Sequence, residues 1–406
     1  MTPLAEFPVL ETLLWVCLAL IAYTYLGYPV LISLLARCFS HHAVPSTESL
    51  PSISLIISAF NEESVMEEKL LNSLALDYPS ALLEIIVVSD CSEDKTDDIA
   101  KSFSEAGVRL VRQGKRLGKS CGLNFGVPSS SGTILVFSDA NAIYERDALR
   151  QLAKHFSDPA VGYVVGNARY RRHAGLTPSA ESEGLYWRLE SWLKQKESAF
   201  GSVVGGDGAI YAIRREMFTP LRPTDINDLL NPLQIIARGY RGIYEPAAVC
   251  YEDAGDSFQK EFRRKVRIIS RSISAVFREY KVLFPWNQFR HWLCLISHKI
   301  LRWLAPVLLI ASLIFSLLLW HFWFYRMVAL AQLGFYALGV AAWILGPLRS
   351  SSRIFYLTYY FCLMNVASLL AIVKFLTGSI APTWETIRGS ESVTQERSAS
   401  PVGRKL

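Results

Sequence analysis

The stretch VFSDANAIY, Val136 to Tyr144, runs apolar until it closes on Asp139, with Asn141 two residues later. A strand that ends in Asp-x-Asp suits a divalent metal that holds a diphosphate. Here the third position is an amide. The triplet therefore reads either as a metal site with one charge fewer or as a polar turn after a buried strand. Asp90 occupies the matching place at the end of EIIVVSD, and Asp94 and Asp97 follow it. Asp and Ser after strands make good helix N-caps, which is the reading for Asp94 with Asp97. Asp90 and Asp139 each end an apolar run and are candidates for ligand contact. Asn61-Glu62-Glu63 follows a further apolar run. Asp228 precedes an apolar segment whose far end is Gly239. It is either a helix cap or a carboxylate placed to take a proton from a hydroxyl.

Two glycine-bearing stretches accompany these acids. GKRLGKSCGLNFG invites a phosphate-loop reading and fails it. The position five before Gly118 holds Gln113, and the stretch does not follow the first strand. What remains is a basic, Gly-rich helix entry whose amides, with Lys119, can meet a nucleotide diphosphate. VVGGDGAIYAIRRE sets Gly205, Gly206 and Gly208 around Asp207. Such glycines allow close backbone approach to a ligand, or only a tight turn.

The elements that must position these residues alternate between strand and helix. Ile53–Phe60, Glu84–Asp90, the VRLVR run and TILVFSD read as strands. Glu62–Leu76, Asp94–Ala106 and Gly118–Val127 read as helices. Continuous apolar strands alternating with helices predict an α/β domain with a mostly parallel sheet covered on both faces. Ligands of such sheets gather at the carboxyl ends of the strands. From Phe258 to Phe284 the pattern changes to a basic amphipathic helix. Phe262, Val266, Ile269, Ile273 and Val276 line one side, with Arg263, Arg264, Lys265, Arg267 and Arg271 around them. Such a helix lies in a membrane interface, or on the surface of the soluble domain.

With 51% apolar content, the chain has four long apolar runs: Phe7–Leu35, Trp303–Tyr325, Met327–Leu345 and Ile354–Leu376. Each is near the length that crosses a bilayer. Arg37, His41 and His42 after the first run place the α/β domain on the cytoplasmic side of the cell membrane. His41–Pro51 reads as a linker. Clusters at Arg290, His298, Lys299 and Arg302, and at Arg349 and Arg353, fit the same side. By parity the tail lies outside, although Lys374 and the tail's own cations oppose this. The layout is an N-terminal anchor (1–40), a catalytic domain (50–255), interfacial helices (256–300), three spans (301–378) and a polar tail (379–406). A net charge of +6 does not by itself argue for nucleic acid as partner. The seven cysteines form no Cys-x-x-Cys pair, so neither a disulfide framework nor a zinc site is expected. Few charges within the spans argue against a transporter.

Taken together, SAFNEE, VVSDCSEDKT, GKRLGKSCGLNFG, FSDANA, GGDGAIYAIRRE, NDLLNPL and FRRKVRIISR resemble the motifs of family-2 glycosyltransferases of the nucleotide-sugar-binding GT-A type, in family order. The flanking YTYLGYP, SHKILRWLAP and PTWETIR are similar as well. The layout resembles membrane synthases of exopolysaccharide, chitin-oligosaccharide and hyaluronan type. That resemblance implies a Rossmann-like GT-A domain and inverting, metal-dependent hexosyl transfer from a UDP-sugar or related donor. The acceptor would be a saccharide or lipid-linked molecule, in extracellular or capsular polysaccharide synthesis. It implies that Asp90 contacts the nucleoside, that Asn61 and Glu62 line base and ribose, and that Lys119 approaches the nucleotide. Gly206, Asp207, Arg264 and Arg267 would complete the donor site. Asp139 and Asn141 would bracket Mg²⁺ or Mn²⁺, and Asp228 would be the catalytic base. Membrane lipids and other polysaccharide-export subunits are the implied partners. Two departures stand out. Asn227-Asp228 replaces the usual acidic pair, with Asp225 three residues upstream. The processive family pattern Gln-x-x-Arg-Trp is absent where Arg264-Lys265-Val266-Arg267-Ile268 stands. The alternative reading is a catalytically silent scaffold of an export complex.

Overall fold

The computed structural model describes residues 8–39, 50–171, 178–253, 258–283, 288–345 and 353–380. Most of the expected linker, Arg349, the PTWETIR stretch and the tail beyond 380 lie outside the described residues. Eight strands form one sheet in the order β3-β2-β1-β4-β7-β6-β8-β5. They are β1 (Ile53–Ala59), β2 (Leu83–Ser89), β3 (Val108–Arg112), β4 (Ile134–Asp139), β5 (Ile143–Tyr144), β6 (Val161–Tyr170), β7 (Tyr211–Arg214) and β8 (Arg241–Glu252). Strands β1 to β4 pair in parallel, and β6 pairs in parallel with β8. The short β7 runs antiparallel to β4 and β6, and β5 antiparallel to β8, so the sheet is mixed.

The apolar strands are continuous because both faces are covered. Along β1, Ile53, Leu55, Ile57 and Ala59 enter one core with Met66 and Leu70, while Ile56 enters another with Leu123. Successive side chains of a strand point to opposite faces, so each face receives its own row. The first core is closed by α2 (Glu63–Leu74) and α3 (Thr96–Ser102), the second by α4 (Lys119–Gly126). Strands β1, β2 and β4 begin or end within a residue of the sequence expectation.

Among the described residues, four helices are long and apolar enough to cross a membrane. The first is α1 (Pro8–Cys38), whose middle turn, Tyr23–Gly27, is π-helical. After α5 (Ala148–Ala153), α6 (Pro178–Phe200), α7 (Asn227–Ala237) and α8 (Phe258–Arg278) come α9 (Phe289–Leu318), α10 (Trp323–Ile344) and α11 (Arg353–Leu376). Hydropathy places the second span at Trp303–Tyr325, but its helix begins at Phe289 and stops at Leu318. The earlier start takes His298, Lys299 and Arg302 into the helix. Carboxylates of α6 receive them: His298 bonds Glu197 at 2.6 Å and Glu190 at 3.1 Å, and Arg302 pairs with Glu190. Tyr28 of α1 donates to Glu197 at 2.6 Å. A third apolar cluster, including Tyr28, Ile32, Leu193, Leu233 and Leu295, joins α1, α6, α7 and α9. Helix α8 packs against α11, with Val266, Ala275 and Val276 buried and Phe277 against Phe375.

Candidate active site

Asp139 is the last residue of β4, and Ala140 and Asn141 form the turn that follows. The turn is braced from below by Lys69 of α2. Its fully buried ammonium donates to Ser138 Oγ at 2.8 Å and to the Ala142 carbonyl at 2.5 Å. It also lies 4.1 Å from the centre of the Tyr144 ring. Burial pulls its pKa down to about 7, against Cys250, Asp139 and Glu252. Fixed in this way, the Asp139 carboxylate meets the Lys119 ammonium from the first turn of α4. The same ammonium donates to the Gly208 carbonyl at 3.2 Å.

Gly208 marks where the site converges. A Cβ there would lie 3.4 Å from Asp228 Oδ2, 3.5 Å from Lys119 Nζ and 3.7 Å from Asp139 Oδ2. At Gly206 a Cβ would come 2.9 Å from the Asp228 carbonyl, and the Gly206 amide donates to that same oxygen. Glycine at both places lets the GGDG strip lie against the start of α7. Asp207 is buried and pairs with Lys194 of α6 at 3.2 Å.

The carboxylates around Asn227 differ in their partners. Asp225 is 2% exposed, pairs with Arg278 and accepts the Arg222 amide at 2.8 Å. Asp228 sits in the first turn of α7 without a side-chain capping bond, since Ile226 is the cap residue. Burial raises its pKa most; Lys119 opposes this, and Asp207 and Asp139 add to it. Burial also works against the charge of Lys119, but Asp139, with Asp228 and Glu252, more than offsets it and raises its pKa.

Sequence reasoning missed Glu252, the last residue of β8. Burial first, then Asp139 and Asp207, push its pKa up to about 7, while Arg264 and Lys119 pull it down. Its signal was present: CYED ends an apolar strand on an acid, as do EIIVVSD and TILVFSD. Lys69 and Lys194 were also missed, because their partners belong to other elements of the fold. Arg267 belongs to the same field. Burial, Arg271 and Arg264 lower its pKa to about 10, and Asp139 acts against them. Arg264 pairs with Glu261 at 3.2 Å.

Asp90, Asn61 and Glu62 form the neighbouring wall. The Asp90 carboxylate accepts from Gln113 Nε2, Leu117 N and Gly118 N at 2.8 to 3.1 Å, so it holds the basic loop ahead of α4. Burial raises its pKa, and the two amides and Arg116 oppose the rise. Asn61 adopts a left-handed φ of 52° and accepts the Glu93 amide at 2.9 Å. The Glu62 amide donates to Thr96 Oγ1 at 2.8 Å. Asp94 accepts the Thr96 amide at 2.9 Å, a bond to the first turn of α3, whereas Asp97 pairs with Arg112.

The arrangement thus gathers Asp139, Asp207, Asp228 and Glu252 around Lys119, with Arg264 and Arg267 close by. Lys119 pairs with Asp139 and Lys194 with Asp207, while Arg264 and Lys119 both act on Glu252. Hard oxygen donors suit a divalent cation of Mg²⁺ or Mn²⁺ type. Among the described residues, no three His, Cys, Asp or Glu side chains stand together as a ready ligand set.

Residues 54–221 match the family model described as Glycosyl transferase family 2. A poly-beta-1,6-N-acetyl-D-glucosamine synthase of Staphylococcus aureus is 24% identical over 271 residues, 65% of each chain. A probable glycosyltransferase of Bacillus subtilis, YdaM, is 31% identical over 235 residues, 54% of this chain and 55% of the relative. Each match spans less than two thirds of the relative's length. Among solved structures, the mannosyltransferase PcManGT from Pyrobaculum calidifontis, in complex with GDP-Man and Mn²⁺, is similar with a TM-score of 0.66. It is 24% identical, and the match covers 90% of this chain and 99% of that one. The similarity extends the shared fold beyond the family match into the helices that flank the sheet. Residues 54–221 are thus similar to family-2 glycosyltransferases, the chain shares the fold of that mannosyltransferase, and membrane-length helices flank its sheet.

Proposed function

We propose that the chain transfers a sugar from a nucleotide-diphosphate sugar, of UDP type, to a hydroxyl of a saccharide or lipid-linked acceptor. The transfer inverts the anomeric centre and serves extracellular or capsular polysaccharide synthesis. The observation that carries this reading is the convergence of Lys119, Asp139 and Asp228 on Gly208 at the carboxyl edge of the sheet.

Asp228 is the base. Its raised pKa gives it more affinity for a proton than an exposed carboxylate has. It takes the proton of the acceptor hydroxyl as that oxygen bonds to the anomeric carbon. The bond from that carbon to the diphosphate oxygen breaks on the opposite face. Lys119, Arg264 and Arg267 meet the charge that grows on the departing diphosphate. Asp139 and Asn141 would hold Mg²⁺ or Mn²⁺, which when bound offsets charge on the diphosphate. A cation held by one or two protein oxygens and by substrate phosphates is the usual arrangement for Mg²⁺. Asp90, Asn61 and Glu62 line the nucleoside end, and Gly206 and Asp207 the sugar end.

In this reading residues 50–255 are the catalytic domain and face the cytoplasm. The basic helix α8 lies along the membrane surface, between the sheet and α11. Ile268 stands where processive enzymes stack a Trp on the growing chain, which favours a single transfer or a short product. Purified protein with Mn²⁺ and a panel of nucleotide sugars tests the reading, with nucleoside diphosphate release and product mass as readouts. Metal-dependent release with one donor, and a product heavier by one or more sugars, is expected. Donor binding without release from any sugar would leave the scaffold reading in its place.

A further inference from the structure

A small cavity, of about 140 Å³, lies where the start of β8 meets the first turn of α9. Arg241, Arg290, His291, Gln288 and Ser202 line it. Its donors are not used up. Arg241 gives Nε to the Gly201 carbonyl at 3.3 Å, but its buried Nη2 has no partner among the described residues. His291 is 3% exposed, and neither ring nitrogen has a partner among the described residues. Glu197, the carboxylate on that side, is taken by Tyr28, His298 and the Val204 amide. Arg290 is exposed. It donates to the Phe200 carbonyl at 3.3 Å, and its guanidinium lies over the Phe39 and Phe200 rings. Burial and the like charge of Arg290 lower the pKa of Arg241, with Asp158 opposing.

Two guanidinium groups held beside one another, with an unpartnered buried imidazole, form a receptor for a group that only accepts hydrogen bonds. A phosphate has the charge and the several oxygens to satisfy them together, and arginine forks match its geometry. We propose that this cavity binds a phosphate group, and that the phosphate belongs to an anionic lipid headgroup. Arg241 and Arg290 supply the charge, and His291 and Gln288 the neutral donors. The lipid source follows from the wall: Arg290 and His291 lie in the opening turns of α9, a helix of membrane-crossing length. A headgroup at that level reaches the cavity without leaving the bilayer, and juxtamembrane cations attract anionic lipid. The cavity also adjoins the chain that leads to the active site. The Gly242 amide donates to Ser202 Oγ at 3.1 Å, and Asp207 follows five residues after Ser202.

The test uses the full chain in nanodiscs of phosphatidylcholine, with or without phosphatidylglycerol, and in detergent with inorganic phosphate. Thermal unfolding and native mass spectrometry of retained lipid are the readouts. Arg290→Gln is the main variant because its side chain is exposed, Arg241→Lys a milder second one, and Lys101→Gln, at an exposed cation of the sheet domain, a control for loss of one charge. Phosphatidylglycerol should raise Tm and stay bound to the native chain. Retention should fall about tenfold in Arg290→Gln and not in Lys101→Gln. A variant-sensitive rise with inorganic phosphate but not with phosphatidylglycerol would keep the phosphate site and overturn its lipid source. Equal responses of the native chain, Arg290→Gln and Lys101→Gln to both probes, or no response to either, would overturn the proposal.

Discussion

Two regions of this molecule bury carboxylates, and they treat them in opposite ways. Between α6 and α9, Glu190 and Glu197 are surrounded by donors: His298, Arg302, Lys299, Tyr28 and the Val204 amide. Burial alone would raise Glu190, yet His298, Arg302 and Lys299 hold its pKa well below the usual carboxylate range. At the carboxyl edge of the sheet, Asp228 and Glu252 are raised instead. The first region is internally neutralised and works as a joint between the sheet domain and the membrane-length helices. In the second, the carboxyl groups are held with raised proton affinity, and keeping them charged is a cost to the folded chain. The contrast recurs within three residues, where Asp225 is locked to Arg278 and Asp228 faces Gly208.

The sharpest way to break this contrast is Asp139→Ala, which should lower turnover by about a thousandfold or more while the fold persists. Metal-dependent turnover that survived it would make the Asp-Ala-Asn triplet a polar turn and nothing else. In the joint, His298→Ala leaves Glu190 and Glu197 short of a partner. It should destabilise the chain by about 3–5 kcal/mol, read as a lower Tm in detergent. If Tm held, the network would not be the joint it is taken for.

Glu252→Gln separates the regions by sign. A raised pKa means that the folded chain keeps the proton to higher pH than the unfolded one. The stability that the group contributes is therefore full below its unfolded value of about 4.3 and lost as pH rises through about 7. Gln at this position should raise Tm at pH 8 relative to the native chain, with little change at pH 4, and lower turnover about tenfold. A fall in Tm at pH 8 would place Glu252 with the paired carboxylates. The smallest effect belongs to Asn141→Asp, which should leave turnover within about threefold and tighten Mn²⁺ binding. A loss of activity there would remove Asn141 from the metal site.

The parallel half of the sheet, β1 to β4, was legible because its strands are short runs bounded by polar stretches, two of which close on acids. Asp90 and Asp139 fall at strand ends, as the pattern demands. Glu252 obeys the same rule and was passed over, since β8 lies after the apolar helix α7 and outside the regular alternation. Asp228 was legible as a carboxylate at a helix start, but its place beside Lys119 required the structure, as did the pairing of Asp225 with Arg278 from more than fifty residues away. Lys69 and Lys194 look like surface lysines in sequence; their partners at Ser138 and Asp207 come from other elements. The beginning of α9 was hidden for the same reason. Hydropathy reads His298, Lys299 and Arg302 as flanks, because the acids that neutralise them belong to α6, about a hundred residues earlier.

The most direct test of the central claim compares binding with turnover in Asp228→Asn. Calorimetry with Mn²⁺ and the preferred nucleotide sugar should give an affinity close to that of the native chain. Nucleoside diphosphate release under the same conditions should fall by about a hundredfold to ten-thousandfold, the range for loss of a general base. Release at the native rate, with donor binding intact, would contradict the assignment of Asp228 as the base.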